Sequence, residues 1–169
     1  MLSVKNRKEG FSLIELLIVV AVLGVISLVA FAVFSGVLGD SKKRGDEIQA
    51  QNIERALNIY LSNSGDVDLS EARKPDGSSW GIVEGTSWTT VVVAFQDEVI
   101  DSKNIVHGPL LRNPNGGTFS ITASSYEPSW NLLSGGKNVG YRIDLYPKVG
   151  GIKVRPVQKD DEAIVHINN

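Results

Sequence analysis

A single carboxylate, Glu15, stands at the start of a long apolar run and is the side chain in this sequence best placed to do chemistry. From Leu16 to Gly39 no residue is charged, and about 20 apolar residues are enough for a helix to cross the core of a bilayer. An acid in such a place is costly unless an opposite charge meets it, so we expect Glu15 to have a functional partner. The simpler alternative is that Glu15 lies at the level of the lipid headgroups and is solvated.

The rest of the sequence offers no catalytic set. Without cysteine, the chain has neither a thiol nucleophile nor a thiolate metal site. His107 and His166 are isolated and lack the spacing of metal ligands, and the sequence contains no nucleophile elbow, P-loop or EF-hand loop. We therefore expect a protein that is not an enzyme and needs no cofactor.

Other candidates for ligand binding are weak. Asp160, Asp161 and Glu162 could hold a cation through oxygen ligands, but a solvated charge run is the favoured interpretation. Three scattered tryptophans could stack on sugars, although such residues are more often core or loop anchors: Trp80, Trp88 and Trp130. The net charge of −2 and the scattered basic residues give no sign of a nucleic-acid partner.

The segment before the apolar run is short and basic, and it is compatible with more than one kind of N-terminus. Lys5, Arg7 and Lys8 would hold it on the cytoplasmic side of a membrane. A secretory signal peptide predicts cleavage after the apolar run, and residues 30–32 supply an A-x-A site, but the run continues beyond it. An ordinary transmembrane anchor explains the length and the orientation, but not Glu15.

A third interpretation is a family resemblance, carried by the sequence GFSLIELLIVV at residues 10–20. This string resembles the class III leader junction of type IV pilins and pseudopilins, which a prepilin peptidase cuts before the apolar run. The resemblance implies cleavage between Gly10 and Phe11 and N-methylation of Phe11. Glu15 matches the acidic residue that the family keeps near its mature N-terminus. The resemblance also implies that the Phe11 amine of one subunit meets Glu15 of a neighbour in a helical filament.

The same resemblance implies a domain organisation and a set of partners. Residues 1–10 would be a cleaved leader, 11–39 a transmembrane and filament-core helix, and 40–169 an extracellular globular domain. The expected partners are other copies of the chain in a helical filament, prepilin peptidase, a pilus assembly platform with its ATPase, and membrane lipid before assembly. The protein would move from the inner or plasma membrane to the cell surface.

Among the functions that the resemblance allows, a pilin supporting adhesion, motility or surface attachment is preferred. Pseudopilins of type II secretion or competence systems tend to carry a Pro-Trp-Gly-type turn, whereas residues 113–117 read NPNGG. The alternatives are therefore such a pseudopilin and, from another class, a membrane-anchored ligand-binding domain.

The apolar helix contains small residues at Gly24, Gly36 and Gly39. They permit close helix packing, and the alternative is that they loosen the helix during assembly. Many pilins have a proline about eight residues beyond Gly24, but residues 30–33 read AFAV. The sequence departs from the family here and does not predict local melting of the filament core.

The hydrophobic pattern predicts that this helix continues into the globular domain. From about residue 46 to 63 the apolar residues repeat on one helical face, and Gly65 is a C′ glycine that ends the helix. The residues of the apolar face are Ala50, Ile53, Ala56, Leu57, Tyr60 and Leu61. The helix would thus run from Ser12 to Asn63.

The sequence that follows the first helix predicts an α+β domain. A second helix is expected over 87–100, capped by Ser87 or Thr86. Alternating apolar residues predict strands, within 118–123, 139–146, 152–157 and 163–167. We expect an antiparallel meander with one buried face, covered by the apolar stripe of the first helix. This is the type IV pilin fold: a long N-terminal helix, half transmembrane and half amphipathic, packed on a C-terminal antiparallel sheet.

Overall fold

The computed structural model describes residues 12–112, 126–130 and 137–168. The chain divides into two compact units, residues 1–38 and 39–169. One helix, α1, spans Leu13–Ser64 and supplies residues to both units. The predicted strand within 118–123 and the NPNGG loop lie outside the described residues.

The N-terminal unit consists, where it is described, of the apolar half of α1. Every side chain from Ser12 to Leu38 is exposed. In the described part of the chain, α1 is the one helix long and apolar enough to span a membrane. The apolar surface of this unit is thus turned outward on all sides of the helix.

The second unit begins where α1 becomes amphipathic. Its buried residues recur every three or four positions, which is the spacing of one helical face, and they are Gly39, Asp46, Ala50, Ile53, Ala56, Leu57, Tyr60 and Ser64. The helix ends as predicted, because Gly65 takes a positive φ of 79° and its N–H donates to the Leu61 carbonyl at 2.9 Å.

The second predicted helix is confirmed, but it is shorter than expected. Helix α2 spans Trp88–Gln96, and the Ser87 hydroxyl accepts a hydrogen bond from the Thr89 N–H at 3.4 Å. The chain then forms a small hairpin from β1 (Val99–Ile100) and β2 (Val106–His107). Val99 is therefore a strand residue.

The C-terminal sheet has three strands in the described part of the chain: β3 (Gly140–Tyr146), β4 (Gly151–Val157) and β5 (Val165–Ile167). Strands β3 and β4 form the predicted antiparallel pair, with Ile143 opposite Val154. The prediction of a fully antiparallel meander is wrong at β5. The strand order is β4-β3-β5, and β5 pairs with β3 in parallel.

The connection from β4 to β5 explains this arrangement. Strand β5 runs antiparallel to β4 but lies on the far side of β3, about 10 Å away at ordinary strand spacing. Residues 158–164, which include a 3₁₀ turn at Asp160–Glu162, are long enough to cross the end of the sheet. The sheet is therefore mixed within an α+β fold.

The core lies between the second half of α1, helix α2 and the sheet. Tyr60 of α1 meets Phe95 of α2 edge to face, with 5.2 Å between ring centroids, and Tyr141 of β3 meets Trp88 of α2 in the same way at 5.1 Å. Gly140 is required where this packing is closest, because a Cβ there would lie 2.3 Å from Nε1 of Trp88. The predicted cover of the sheet by the first helix is confirmed.

Candidate functional site

The first described turn of α1 holds Glu15. The Ser12 carbonyl oxygen accepts hydrogen bonds from the N–H groups of Glu15 and Leu16, at 3.1 and 3.2 Å, so Ser12 is the N-cap of the helix. The Glu15 carboxylate in turn accepts the Ser12 N–H through Oε2 at 3.0 Å. Gly10 and Phe11, the predicted cleavage and methylation residues, lie outside the described residues.

This arrangement is electrostatically favourable for Glu15. A carboxylate in the first turn of a helix interacts with the N–H groups and the positive end of the helix dipole. Glu15 is exposed, and a carboxylate can accept more than one donor, so its bond to Ser12 leaves capacity for a further partner. Glu15 was predicted from the sequence and Ser12 was not, although the S-x-x-E pattern at residues 12–15 is a recognisable capping signal.

The glycines of the apolar helix fall into two environments. At Gly24 and Gly36 a Cβ would meet no heavy atom within 4 Å, so no contact within the chain requires glycine there. Gly39 is buried and begins the second unit. The exposed pair is compatible with the expected role in close helix packing, which needs a second helix.

The acidic run near the C-terminus forms a short 3₁₀ helix, Asp160–Glu162. Glu162 lies 3.8 Å from the ammonium group of Lys159, and none of the three acids is buried. Among the residues with described positions, no group of three or more His, Asp or Glu side chains could hold a metal ion.

Each histidine pairs with one carboxylate. His107 Nε2 lies 3.0 Å from Oδ2 of the fully buried Asp101, and this contact lowers the pKa of Asp101. His166 Nδ1 lies 2.7 Å from Oε1 of Glu84. Each pair joins a strand residue to a loop residue and so holds the loop against the sheet to which that strand belongs.

The tryptophans are distributed as anchors. Trp88 is buried in the core. The ammonium group of Lys74 lies over the Trp80 ring, 4.9 Å from the ring centroid. The ammonium group of Lys43 lies 5.4 Å from the centroid of the Trp130 ring.

Asp46 accepts four hydrogen bonds and was not identified from the sequence. It is 1% exposed. Its Oδ1 accepts the Ser129 N–H at 2.6 Å and the Ser129 hydroxyl at 3.0 Å. Its Oδ2 accepts the Trp130 N–H at 3.2 Å and the Asn138 amide at 2.7 Å. Asp46 thus ties two distant segments of the chain to α1.

A second buried acid, Asp66, follows the end of α1. Burial and a hydrogen bond with Asp68 raise its pKa from 3.8 to about 6. Its Oδ2 accepts the Glu71 N–H at 3.0 Å and the Tyr60 hydroxyl at 3.3 Å. Asp66 therefore takes up its proton in the native state at a higher pH than in the unfolded chain.

We expect an Asp66→Asn variant to remove a pH dependence from the stability of the protein. Between the unfolded pKa of 3.8 and the native pKa of about 6, the native state binds more protons, so stability falls as the pH rises. From about pH 4.5 to about pH 7 the unaltered chain should lose roughly 2 kcal/mol relative to the variant. Thermal unfolding at both pH values measures this, with the exposed Asp160→Asn as the control. Parallel pH profiles for the unaltered chain and Asp66→Asn would contradict the assignment.

Comparison with known proteins locates a match in the N-terminal part of the chain. The family described as the prokaryotic N-terminal methylation motif matches residues 5–35. No curated protein and no solved structure matches the chain significantly. The motif supports a type IV pilin- or pseudopilin-like protein that is anchored in a membrane through its apolar helix. Residues 5–35 thus identify the chain as a carrier of the class III prepilin leader, the processing signal of type IV pilins and pseudopilins.

Proposed function

We propose that this chain is the structural subunit of an extracellular type IV pilus. Prepilin peptidase removes residues 1–10, Phe11 is methylated, and the mature chain polymerises through the apolar half of α1. An assembly platform and its ATPase draw the subunits out of the membrane. The globular domain then covers the filament and supports adhesion, motility or surface attachment.

The observation that carries the proposal is the exposure of every side chain from Ser12 to Leu38 on an apolar helix, most of which lies within the matched motif of residues 5–35. Such a surface needs lipid around it while the subunit is in the membrane. When the subunit leaves the membrane, the same surface needs an equivalent apolar environment. A bundle of identical helices provides that environment, and the exposed Gly24 and Gly36 would let the helices approach closely.

The charge pair of the proposal uses Glu15 and the amine created by cleavage. The methylated Phe11 amine stays cationic at neutral pH. Among apolar helices, neither this cation nor the Glu15 carboxylate is tolerated alone, so each stabilises the other across the contact between two subunits. Glu15 would thereby fix the register of an otherwise uniformly apolar bundle.

The test is the intact mass and N-terminal sequence of the protein recovered from sheared cell-surface material. The proposal expects long polymers of a chain that begins at methylated Phe11. A chain that begins at Val33 would indicate a secreted soluble domain, and a chain that retains Met1 would indicate an ordinary anchor. Either finding would reject the filament. Mature protein found in membranes and absent from sheared polymers would favour a pseudopilin.

The cleavage site itself is tested by replacing Gly10. We expect Gly10→Val to block removal of the leader, because the branched side chain would crowd the bond that the peptidase must bind. The variant should accumulate in membranes at the mass of the full chain. Ser3→Val, which changes the leader away from the junction, is the control. A mature-size product from Gly10→Val would show that the junction lies elsewhere.

A further inference from the structure

Two clefts adjoin on the surface of the second unit. The first has a volume of about 410 Å³ and lies between α1 and strand β4. The second has a volume of about 430 Å³ and is bounded by the start of α2 and by residues 137–139. Trp130 and Asn138 line both clefts, so the two spaces meet at these side chains.

Asn138 is held firmly in place, yet one of its polar atoms has no donor within the described structure. The residue is 8% exposed, and its Nδ2 donates to Oδ2 of Asp46 at 2.7 Å. Because a carboxylate accepts hydrogen bonds, the amide nitrogen must face Asp46 and the amide oxygen must point away from it. No donor among the described residues binds Oδ1 of Asn138. A nearly buried acceptor of this kind is satisfied by a donor that enters the clefts from outside the chain.

Trp130 contributes an aromatic surface at the same point. Its backbone is fixed, because its N–H donates to Asp46 at 3.2 Å and its carbonyl oxygen accepts the Asn138 N–H at 3.0 Å. The residue is partly exposed and lines both clefts. The C–H groups on one face of a sugar ring pack well on an indole, because both apolar surfaces then leave water. The hydroxyl groups around the sugar ring stay available for hydrogen bonds.

The polar side chains of the clefts favour a ligand that is neutral and rich in hydroxyl groups. The charged residues that line the two clefts are three cations and three acids: Lys43, Lys137, Arg155, Glu47, Glu127 and Asp160. A highly charged ligand of either sign would therefore meet repulsion as well as attraction. Gln51 and Gln158 of the first cleft each carry donors and an acceptor, which matches hydroxyl groups that both donate and accept.

We propose that the two clefts form one binding site for a neutral oligosaccharide, with a sugar ring on Trp130 and a hydroxyl group that donates to Oδ1 of Asn138. Asp46 already fixes both residues, so little ordering remains to be lost when the sugar binds. The site lies within one globular unit and does not depend on polymerisation, so it goes beyond the proposed pilus. On a filament, many copies of a weak site would act together.

The experiment is saturation-transfer difference NMR with the full-length chain in micelles of a detergent without a sugar headgroup. The probes are three neutral trisaccharides that differ in linkage and substituents: cellotriose, maltotriose and chitotriose. We expect at least one of them to bind with a Kd on the order of 1 mM, as for a small ligand in a shallow site. The result does not depend on whether the chain forms filaments.

Substitutions at the clefts locate the bound sugar. Trp130→Ala should weaken binding at least about tenfold, and Trp130→Phe, which keeps an aromatic face, by less than about threefold. Trp80→Ala is the matched control, because Trp80 also lies beside a lysine ammonium group but lines neither cleft. Gln51→Ala, at an exposed position of α1, should weaken binding about threefold without lowering Tm, and it tests the site even if Trp130→Ala fails to fold.

Three outcomes would overturn the proposal. The first is that none of the three trisaccharides binds. The second is tighter binding of a probe from another class, either a hyaluronan tetrasaccharide, which is anionic, or a trialanine peptide. The third is an affinity for the sugar that is the same in the unaltered chain, in folded Trp130→Ala and in Gln51→Ala, because the sugar would then bind elsewhere on the chain.

Discussion

Replacing Glu15 with glutamine should leave membrane insertion, the hydrogen bond from the Ser12 N–H and leader removal intact but abolish or strongly reduce polymerisation. In the proposed filament the substitution leaves the Phe11 amine without its counter-charge among apolar helices. Breaking a buried pair by removing one partner costs about 3–5 kcal/mol, which corresponds to a loss of more than about a hundredfold in association at each contact. The measurement is the amount of polymer in sheared surface material, compared with the amount of mature protein in membranes.

The matched control is Glu47→Gln, which makes the same chemical change at an exposed position of α1 in the second unit. It should give filaments in normal amount. Normal filaments from Glu15→Gln would contradict the proposed charge pair. The remaining role of Glu15 would then be to accept the Ser12 N–H at the start of α1. Loss of filaments together with loss of leader removal would mean that the carboxylate charge acts earlier than assembly.

Replacing Asp46 with alanine should destabilise the globular domain severely. The substitution removes an acceptor that serves four donors and leaves the N–H groups of Ser129 and Trp130 without it. Hydrogen bonds to a charged acceptor are worth about 1.5–3 kcal/mol each, and donors near the surface can bind water instead. We therefore expect a total loss of about 3–5 kcal/mol and a fall in Tm of about 10 °C. Thermal unfolding of the full chain in detergent, followed by near-UV circular dichroism, measures this effect.

Asp40→Ala serves as the control for Asp46→Ala, since Asp40 is an exposed acid on the same helix. It should change Tm by no more than a degree or two, as surface substitutions usually do. Asp46→Asn keeps one acceptor oxygen and should fall between the two. Equal Tm values for the Asp46→Ala and Asp40→Ala variants would show that Asp46 does not hold the loop segments.

Local patterns were sufficient to predict the helices. The first helix was expected from Ser12 to Asn63 and spans Leu13–Ser64, because an apolar run, an amphipathic stripe and a C′ glycine all act within a few residues. Ser87 or Thr86 was likewise expected to cap α2, and Ser87 is the residue that does so. Hydrogen bonds within one turn and burial of one face carry most of this information.

Contacts between distant parts of the chain could not be predicted in the same way. Asp46 was not identified from the sequence, because its four donors lie more than 80 residues further along the chain. The parallel pairing of β5 depends on a connection that passes the end of β3, which an alternating pattern does not encode. Glu15, in contrast, stands beside a run of 24 uncharged residues, so its unusual environment is visible in the sequence itself.

The two outer strands of the C-terminal sheet bear on how these domains behave when many of them are crowded together. On β4, the Val154 N–H donates to the Glu54 carboxylate at 3.0 Å, and the Ile152 carbonyl accepts from Asn58 at 3.4 Å. On β5, the Val165 N–H donates to the Thr86 carbonyl at 2.8 Å.

Backbone groups at a sheet edge that are left open offer a template on which another chain can add a strand. Here side chains of α1 bind such groups on β4, and the backbone of the loop before α2 binds one on β5. In the proposed pilus, identical domains would sit at very high local concentration along the filament. Closed edges would then direct association to the helices and protect the surface layer from aggregating strand against strand.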